Sequence, residues 1–431
     1  MTILAGLVLF ITFFFFLLFG LPIALAIILS SLITLLMILP FDVTIVTAAQ
    51  RMVTGIDDFT MLAIPLFVLA GIIMNNGGIA FRLVNFAKVL VGRLPGSLAH
   101  TNIVGNMLFG SISGSSVAAA AAMGRIMGPM EEKQGYKKEY SAAANIASAP
   151  SGLLIPPSSL LIVYSLVSGG TSIAALFIAG YIPGILWGIA CMVVAFIMAK
   201  KQGYKVSESI GWKDKIFLTL DALLSLLLIV VVIGGIVSGV FTATEGAAVA
   251  VLYSTVLSFI YKSLSLKQIP NVIKETAEIS GMILFLITAS ALFSLVMSYT
   301  GLPETISNGI ISMTDNPIIL LLLINVILLV IGTFMDITPA VLIFTPIFLP
   351  ISEVLGLDPI HFGIIIAFNL CIGNITPPVG SALFVGASVG GVRVEAVFKY
   401  LVPYFIALII LMLFITFIPE LSLFLPKLLG L

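Results

Sequence analysis

Apolar positions run along this chain in blocks long enough to cross a bilayer, not in the alternation of a half-buried strand or the stripe of a soluble amphipathic helix. Such stretches fill most of Ile3 to Leu39, 215–260 and 401–425, and a transmembrane helix needs about 20 apolar residues. The longest clearly polar interval, Lys200 to Lys215, has 16 residues, so no nucleotide-binding cassette or other soluble module fits between the spans. The first twenty residues lack a basic leader and continue into a second apolar segment at Leu21, which predicts a retained helix rather than a cleaved signal.

The pattern also repeats. A shift of about 222 residues sets Pro95 opposite Pro317, Gly110 opposite Gly332, Pro156-Pro157 opposite Pro377-Pro378 and Gly169-Gly170 opposite Gly390-Gly391, the mark of an internal duplication. Each half reads as an apolar helix, a short polar arm, a segment split by a small or polar loop, and a helix broken by Pro-Pro. The predicted organisation is N-terminal scaffold helices over 1–60 and a first repeat over 61–198 with a split segment at 97–130 and a broken helix at 141–165. A loop, scaffold helices and a connecting arm follow over 199–279, then a second repeat over 280–431 with a split segment at 318–350, a broken helix at 360–390 and a C-terminal helix. The arms of each split segment are expected to hold 14 to 17 residues, about 21–25 Å at 1.5 Å per residue. That falls short of a hydrocarbon core of about 30 Å, so both segments read as re-entrant hairpins with buried tips.

Composition confirms the solvent. The chain has 431 residues, 60% of them apolar and 9% charged, and a mean hydropathy of +1.26, too little polar surface to coat a soluble globule. Net charge is zero, yet sixteen of the nineteen Lys and Arg residues fall in five short intervals: 76–99, 131–140, 199–216, 261–279 and 391–400. The positive-inside rule makes these cytoplasmic and puts both termini in the periplasm. The first split segment is flanked by Arg93 and by Lys133, Lys137 and Lys138, the second by Asp315, Glu353 and Asp358. Equivalent elements entering from opposite faces make an inverted repeat, the common plan of secondary transporters. The expected fold class is therefore an all-α polytopic membrane protein with inverted structural repeats, two re-entrant helical hairpins and two Pro-broken helices.

Broken backbone at membrane depth is tolerated only where protein or a water-filled cavity satisfies its polar groups. The breaks Ala149 to Ser158 and Gly373 to Gly380 free carbonyl oxygens, which with Ser and Thr hydroxyls suit a small cation. One small-cation site per half follows: Ser111, Ser113 and Ser116 facing Ser151 and Gly152 in the first, and Asp336 and Thr338 facing Gly373 and Thr376 in the second. An ionisable residue at this depth is a functional candidate by default, which singles out Asp336, whereas any one serine is explained as well by close helix packing. Half-helices beginning at the tips point their positive ends inward, so an anionic solute is expected between them, touching Ser115, Pro156, Asn374 and Pro377, with Arg125 as a further candidate for its acid group. Arg125 lies nine residues from Ser116, about 13 Å along a helix, which also fits a snorkelling cation. Glu245 with Thr244 reads as a helix cap at an outer turn. Cys191, Cys371, His100 and His361 are too scattered for a disulfide framework or a transition-metal site. Gly110-Ser111-Ile112-Ser113-Gly114 resembles a serine-nucleophile elbow only in spacing, without the strand, histidine or acid that chemistry needs, so no enzyme activity is expected.

Seven ordered stretches resemble the large membrane subunit of TRAP transporters, the tripartite ATP-independent periplasmic carriers. They are Ile64-Pro65-Leu66-Phe67-Val68-Leu69-Ala70-Gly71, Gly110 to Ser116, Ile155-Pro156-Pro157-Ser158, Ala179-Gly180-Tyr181-Ile182-Pro183-Gly184, Thr244-Glu245-Gly246-Ala247-Ala248, Asp336 with Thr338, and Thr376-Pro377-Pro378-Val379-Gly380. The resemblance implies sodium-coupled uptake of a small organic acid (a sugar acid, a sialic acid or a dicarboxylate) across the bacterial inner membrane. It implies an elevator motion of the hairpin-bearing domain, a periplasmic substrate-binding protein that delivers the acid, and a separate small four-helix membrane subunit. Each elementary charge crossing 100 mV is worth about 2.3 kcal/mol, so two sodium ions entering with one monoanion favour uptake. A free-standing sodium/dicarboxylate symporter of the same architecture, and a channel or scaffold subunit, are the competing readings.

Overall fold

The computed structural model describes residues 2–204, 211–313 and 316–431. The centre of the polar interval 200–215, and Asp315 beside the second hairpin, lie outside the described residues. Among the described residues the fold is helical throughout, with eight helices long and apolar enough to cross a membrane, or nine counting one bent pair. The chain is an all-α polytopic membrane protein built as two inverted repeats, each with a hairpin and a Pro-broken helix.

The first hairpin has arms Ser97–Ser113 and Ser116–Lys133, and the second Pro317–Phe334 and Ile337–Val354. Their breaks are shorter than the sequence suggests, two residues each, Gly114-Ser115 and Met335-Asp336. Ser111 and Thr333 lie inside the helices, their hydroxyls satisfied by donating back to Leu108 O at 2.9 Å and Val330 O at 2.7 Å, so these polar residues sit within the helix without a loop to solvate them. The first arm ends at Gly114, whose φ of +61° closes it in a left-handed cap, a conformation that glycine adopts without steric cost. One arm has 17 residues, the top of the expected range, and three have 18, just beyond it; both arms of the second hairpin are among the eight long apolar helices.

The broken helices behave as predicted in kind. The first runs Lys138–Ser148, Ser151–Leu154 and Ser159–Val167 with a 49° bend, and the second Pro359–Asn374 and Ser381–Val389. Both Pro-Pro bonds, Pro156-Pro157 and Pro377-Pro378, are cis. Each break lies against the hairpin of its own half through paired glycines. A Cβ on Gly152 would stand 2.2 Å from Gly110 Cα, and one on Gly373 would stand 2.4 Å from Gly332 Cα, so backbone meets backbone at equivalent places in the two repeats.

The two broken helices also lock to each other and to the long helix Ile173–Gln202. Tyr164 Oη donates to Pro359 O at 2.6 Å, Trp187 Nε1 donates to Ala147 O at 2.8 Å, and the Trp187 ring packs on Phe368 with centroids 4.7 Å apart. A buried indole N–H needs such a partner. At the outer turn the cap is Thr242, not Thr244: Thr242 and Glu245 form a reciprocal capping box, while Thr244 Oγ1 donates to Phe59 O at 3.2 Å.

Candidate functional site

The two hairpin tips meet around Asn374, the last helical residue before the second Pro-Pro break. Ser116 Oγ, opening the second arm of the first hairpin, donates to Asn374 Oδ1 at 3.1 Å. Asn374 Nδ2 donates to Asp336 Oδ1 at 3.2 Å and to Ser381 Oγ at 2.7 Å, and Ser381 Oγ donates to Asp336 Oδ1 at 2.9 Å. The amide N–H of Ala382 reaches Asn374 Oδ1 at 3.3 Å. A side-chain chain of Ser116, Asn374, Ser381 and Asp336 thus joins elements from both repeats, and the helices Ser116–Lys133, Ile337–Val354 and Ser381–Val389 all begin at it. Three N-termini aimed at one place create a field that favours negative charge.

Asp336 sits at the N-cap of Ile337–Val354 but makes no capping bond with its side chain. Its carboxylate is exposed, holds two neutral donors on Oδ1 and has no salt-bridge partner among the described residues. A carboxylate positioned by neutral donors and left without a cation is suited to a mobile one.

The remaining candidates fall into two groups around this centre. In the first half Ser111 lies against Gly152, since a Cβ on Gly152 would meet Ser111 N at 2.7 Å. Ser151 Oγ donates to Ser148 O at 2.6 Å, and Ser113 Oγ reaches Gly110 O and Ser115 O at 3.5 and 3.4 Å. Each hydroxyl spends its hydrogen on a main-chain carbonyl and keeps its lone pairs, the state a cation ligand requires. Ser116 differs in its acceptor: it spends its hydrogen on Asn374 Oδ1 of the other half and likewise keeps its lone pairs. Ser115 caps its helix by accepting from Ala118 N at 3.2 Å, and Pro156 is buried. In the second half Thr376 Oγ1 donates to Ile372 O at 2.7 Å, Thr338 and Pro377 are half-buried, and the carbonyls of Asn374 and Thr376 crowd the empty side of Gly380, each 2.8 Å from where a Cβ would stand. Arg125 is elsewhere: it lines a cavity of about 380 Å³ with Asn102, Glu131, Lys138 and Val389, apart from the tip residues.

Sequence reasoning missed Ser381 and its counterpart Ser159. Ser159 Oγ donates to Gly114 O at 2.7 Å, as Ser381 donates to Asp336. Each is the first residue of the half-helix after Pro-Pro, and each bonds the two-residue tip of its own hairpin. The repeat shift of about 222 that pairs Gly110 with Gly332 also pairs these serines, so the signal was present.

Residues 10–421 match the family described as "Tripartite ATP-independent periplasmic transporter, DctM component". The chain is 54% identical to an uncharacterized protein, YgiK, of Salmonella typhimurium, covering 95% of this chain and 94% of that one. It is 39% identical to the sialic acid TRAP transporter large permease protein of Vibrio cholerae, covering 95% of each. Identity is 38% to the C4-dicarboxylate TRAP transporter large permease protein of Pseudomonas aeruginosa, over 93% of this chain and 94% of that one. Among solved structures, the Alcanivorax borkumensis YdaH transporter, described as having an unusual topology, superposes with a TM-score of 0.57 at 14% identity over 84% of this chain and 88% of that one, which supports the fold alone.

Proposed function

This chain belongs to the DctM component family of tripartite ATP-independent periplasmic transporters, and on that footing we propose that it carries a small organic acid into the cell by sodium-coupled elevator transport. The observation that carries this reading is the hydrogen-bonded chain from Ser116 through Asn374 and Ser381 to Asp336. It ties both hairpin tips into one unit that can move as a body with its cargo.

Sodium binds at each tip. The hydroxyls of Ser111, Ser113 and Ser116 with the carbonyls near Ser151 and Gly152 hold one ion; Asp336, Thr338, Thr376 and the carbonyls near Gly373 hold the other. Cation binding at Asp336 neutralises the single carboxylate there, and the converging helix N-termini then favour the acid group of the substrate beside Ser115, Asn374, Pro156 and Pro377. Two cations per monoanion make the step electrogenic, worth about 2.3 kcal/mol per net charge at 100 mV. The partners are a small four-helix membrane subunit and a periplasmic binding protein, and the location is the bacterial inner membrane with both termini periplasmic. Relatives at nearly equal identity are named for a sialic acid and for C4-dicarboxylates, so overall identity does not choose between acids and the binding protein makes the selection.

Reconstitution of the chain with its small subunit in proteoliposomes tests this. An inward sodium gradient and acid-loaded binding protein should drive accumulation above the external concentration. Equal uptake with potassium in place of sodium, or undiminished uptake without the binding protein, contradicts the reading.

A further inference from the structure

Glu131 has no role in the transport site, yet it is the least expected side chain in the fold. It lies in the last turn of the first hairpin, in the run Glu131-Glu132-Lys133 outside the apolar spans, and its exposure is 0%. Neither carboxylate oxygen makes a hydrogen bond of ordinary geometry, and the same holds for the buried Ser141 hydroxyl and Asn106 Oδ1. Asn102 of the first hairpin arm and Ser141 of the first broken helix stand beside it and, with Glu131, line the cavity of about 380 Å³.

The charged groups around that cavity leave Glu131 alone. Lys138 pairs with Glu132 at 3.0 Å, and Arg125 shares the lining without forming an ion pair with Glu131. The second broken helix contributes only Gly386, Val389 and the glycines after it. Tyr136 stands in the lining, while Tyr140 and Tyr404 lie within electrostatic reach. An ionised carboxylate buried without a partner is strongly disfavoured. Burial pushes the Glu131 carboxyl up to about 7, with Ser141 and Asn102 opposing the rise.

From this pocket a buried polar seam leads to the transport site. Asn106 Nδ2 shares its two hydrogens among Asn102 Oδ1 at 3.2 Å, Asn145 Oδ1 at 2.9 Å and Ser148 Oγ at 2.9 Å, and Ser148 O accepts from Ser151 Oγ. We propose that Glu131 is a proton-binding site at the cytoplasmic end of the first hairpin, separate from the cation sites at the tips. The proton sits on a Glu131 carboxylate oxygen; on release it passes to water in the cavity and leaves the carboxylate ionised.

The sign of the effect on stability is fixed. A carboxyl raised in the fold binds more protons there than in the unfolded chain, so its contribution is full below its ordinary range and is lost as pH rises through about 7. Thermal unfolding of the purified full chain across pH tests the proposal, with Glu131→Gln as the comparison. Between about pH 5 and about pH 8 the wild-type midpoint should fall by about 2–4 °C more than that of the variant, and a protonated-carboxyl infrared band should be missing from the variant. Should the Gln variant fail to fold, Glu131→Met, which removes the charge and the hydrogen-bonding demand together, should lack the same pH-dependent fall. Parallel pH profiles in the variant that folds overturn the assignment, as does a stabilisation by sodium at about pH 8 that disappears with Glu131, which would make the ligand a metal cation.

Discussion

The seating of each hairpin on its broken helix rests on glycine pairs, and Gly152→Ala is the sharpest test of that packing. The added methyl would stand 2.2 Å from both Gly110 Cα and Gly110 C, and 2.7 Å from Ser111 N. Real carbon contacts do not come so close, and every obstructing atom is backbone, which cannot rotate away. The hairpin must shift, and overpacking of this kind costs about 1–3 kcal/mol. At about 2–4 °C per kcal/mol in chains of 150–250 residues, and somewhat less in a longer one, the unfolding midpoint should drop by several degrees. Because Ser111 moves with its backbone, the sodium half-saturation of uptake should also rise. Gly281→Ala is the control of opposite sign. Gly281 lies inside the helix Ile269–Thr300 with nothing within 4 Å of the new methyl, where replacing glycine by alanine gains about 0.5–1 kcal/mol. Differential scanning fluorimetry on the two purified variants reads both shifts. A Gly152→Ala midpoint equal to wild type would refute the backbone contact and, with it, the way the first cation site is held together.

Three further outcomes follow from the tip geometry. Ser381→Ala removes the donor to Asp336 and the acceptor for Asn374; a loss of about 1 kcal/mol at this exposed site raises the sodium concentration for half-maximal uptake about 5-fold, and an unshifted activation curve counts against Ser381. Ser116→Ala cuts the bond between the two halves, so uptake should fall further than the unfolding midpoint predicts; a loss of activity fully accounted for by lost stability would assign Ser116 to packing. Arg125→Gln, placed in a cavity apart from the tips, should leave the substrate half-saturation within about 2-fold, whereas a rise of about 10-fold or more, about 1.4 kcal/mol, would show that the guanidinium meets the acid group.

Much of this arrangement was legible in the residues themselves. Pro-Pro pairs and glycines fix where helices must break, and the offset between Gly110 and Gly332 exposed the duplication without any knowledge of contacts. Asp336 stands out in the sequence as a candidate for a different reason: an ionisable residue at membrane depth has few structural explanations. What stayed hidden depends on how side chains spend their hydrogen bonds. Ser111 and Thr333 look like loop residues but bond back to their own helices, so the predicted breaks were too long. Ser381 follows a glycine after the second break and looks like an ordinary helix start; the repeat shift pairs it with Ser159, but its bond to Asp336 shows only in the structure. Glu131 sits in a charged run that reads as a solvated face, and its burial arises from the packing of Asn102, Ser141 and the second broken helix around it, which no local pattern encodes.

Equilibrium binding of radioactive sodium to the purified chain, wild type against Asp336→Asn, addresses the central claim most directly. Asparagine keeps an oxygen able to accept from Ser381 and Asn374 and removes only the charge, so the fold and the hydrogen-bonded chain should persist. Wild type should bind sodium saturably and ignore equal potassium, and the variant should lose one class of site or bind it at least about 10-fold more weakly, about 1.4 kcal/mol. A binding curve for Asp336→Asn that overlays the wild type would contradict the account.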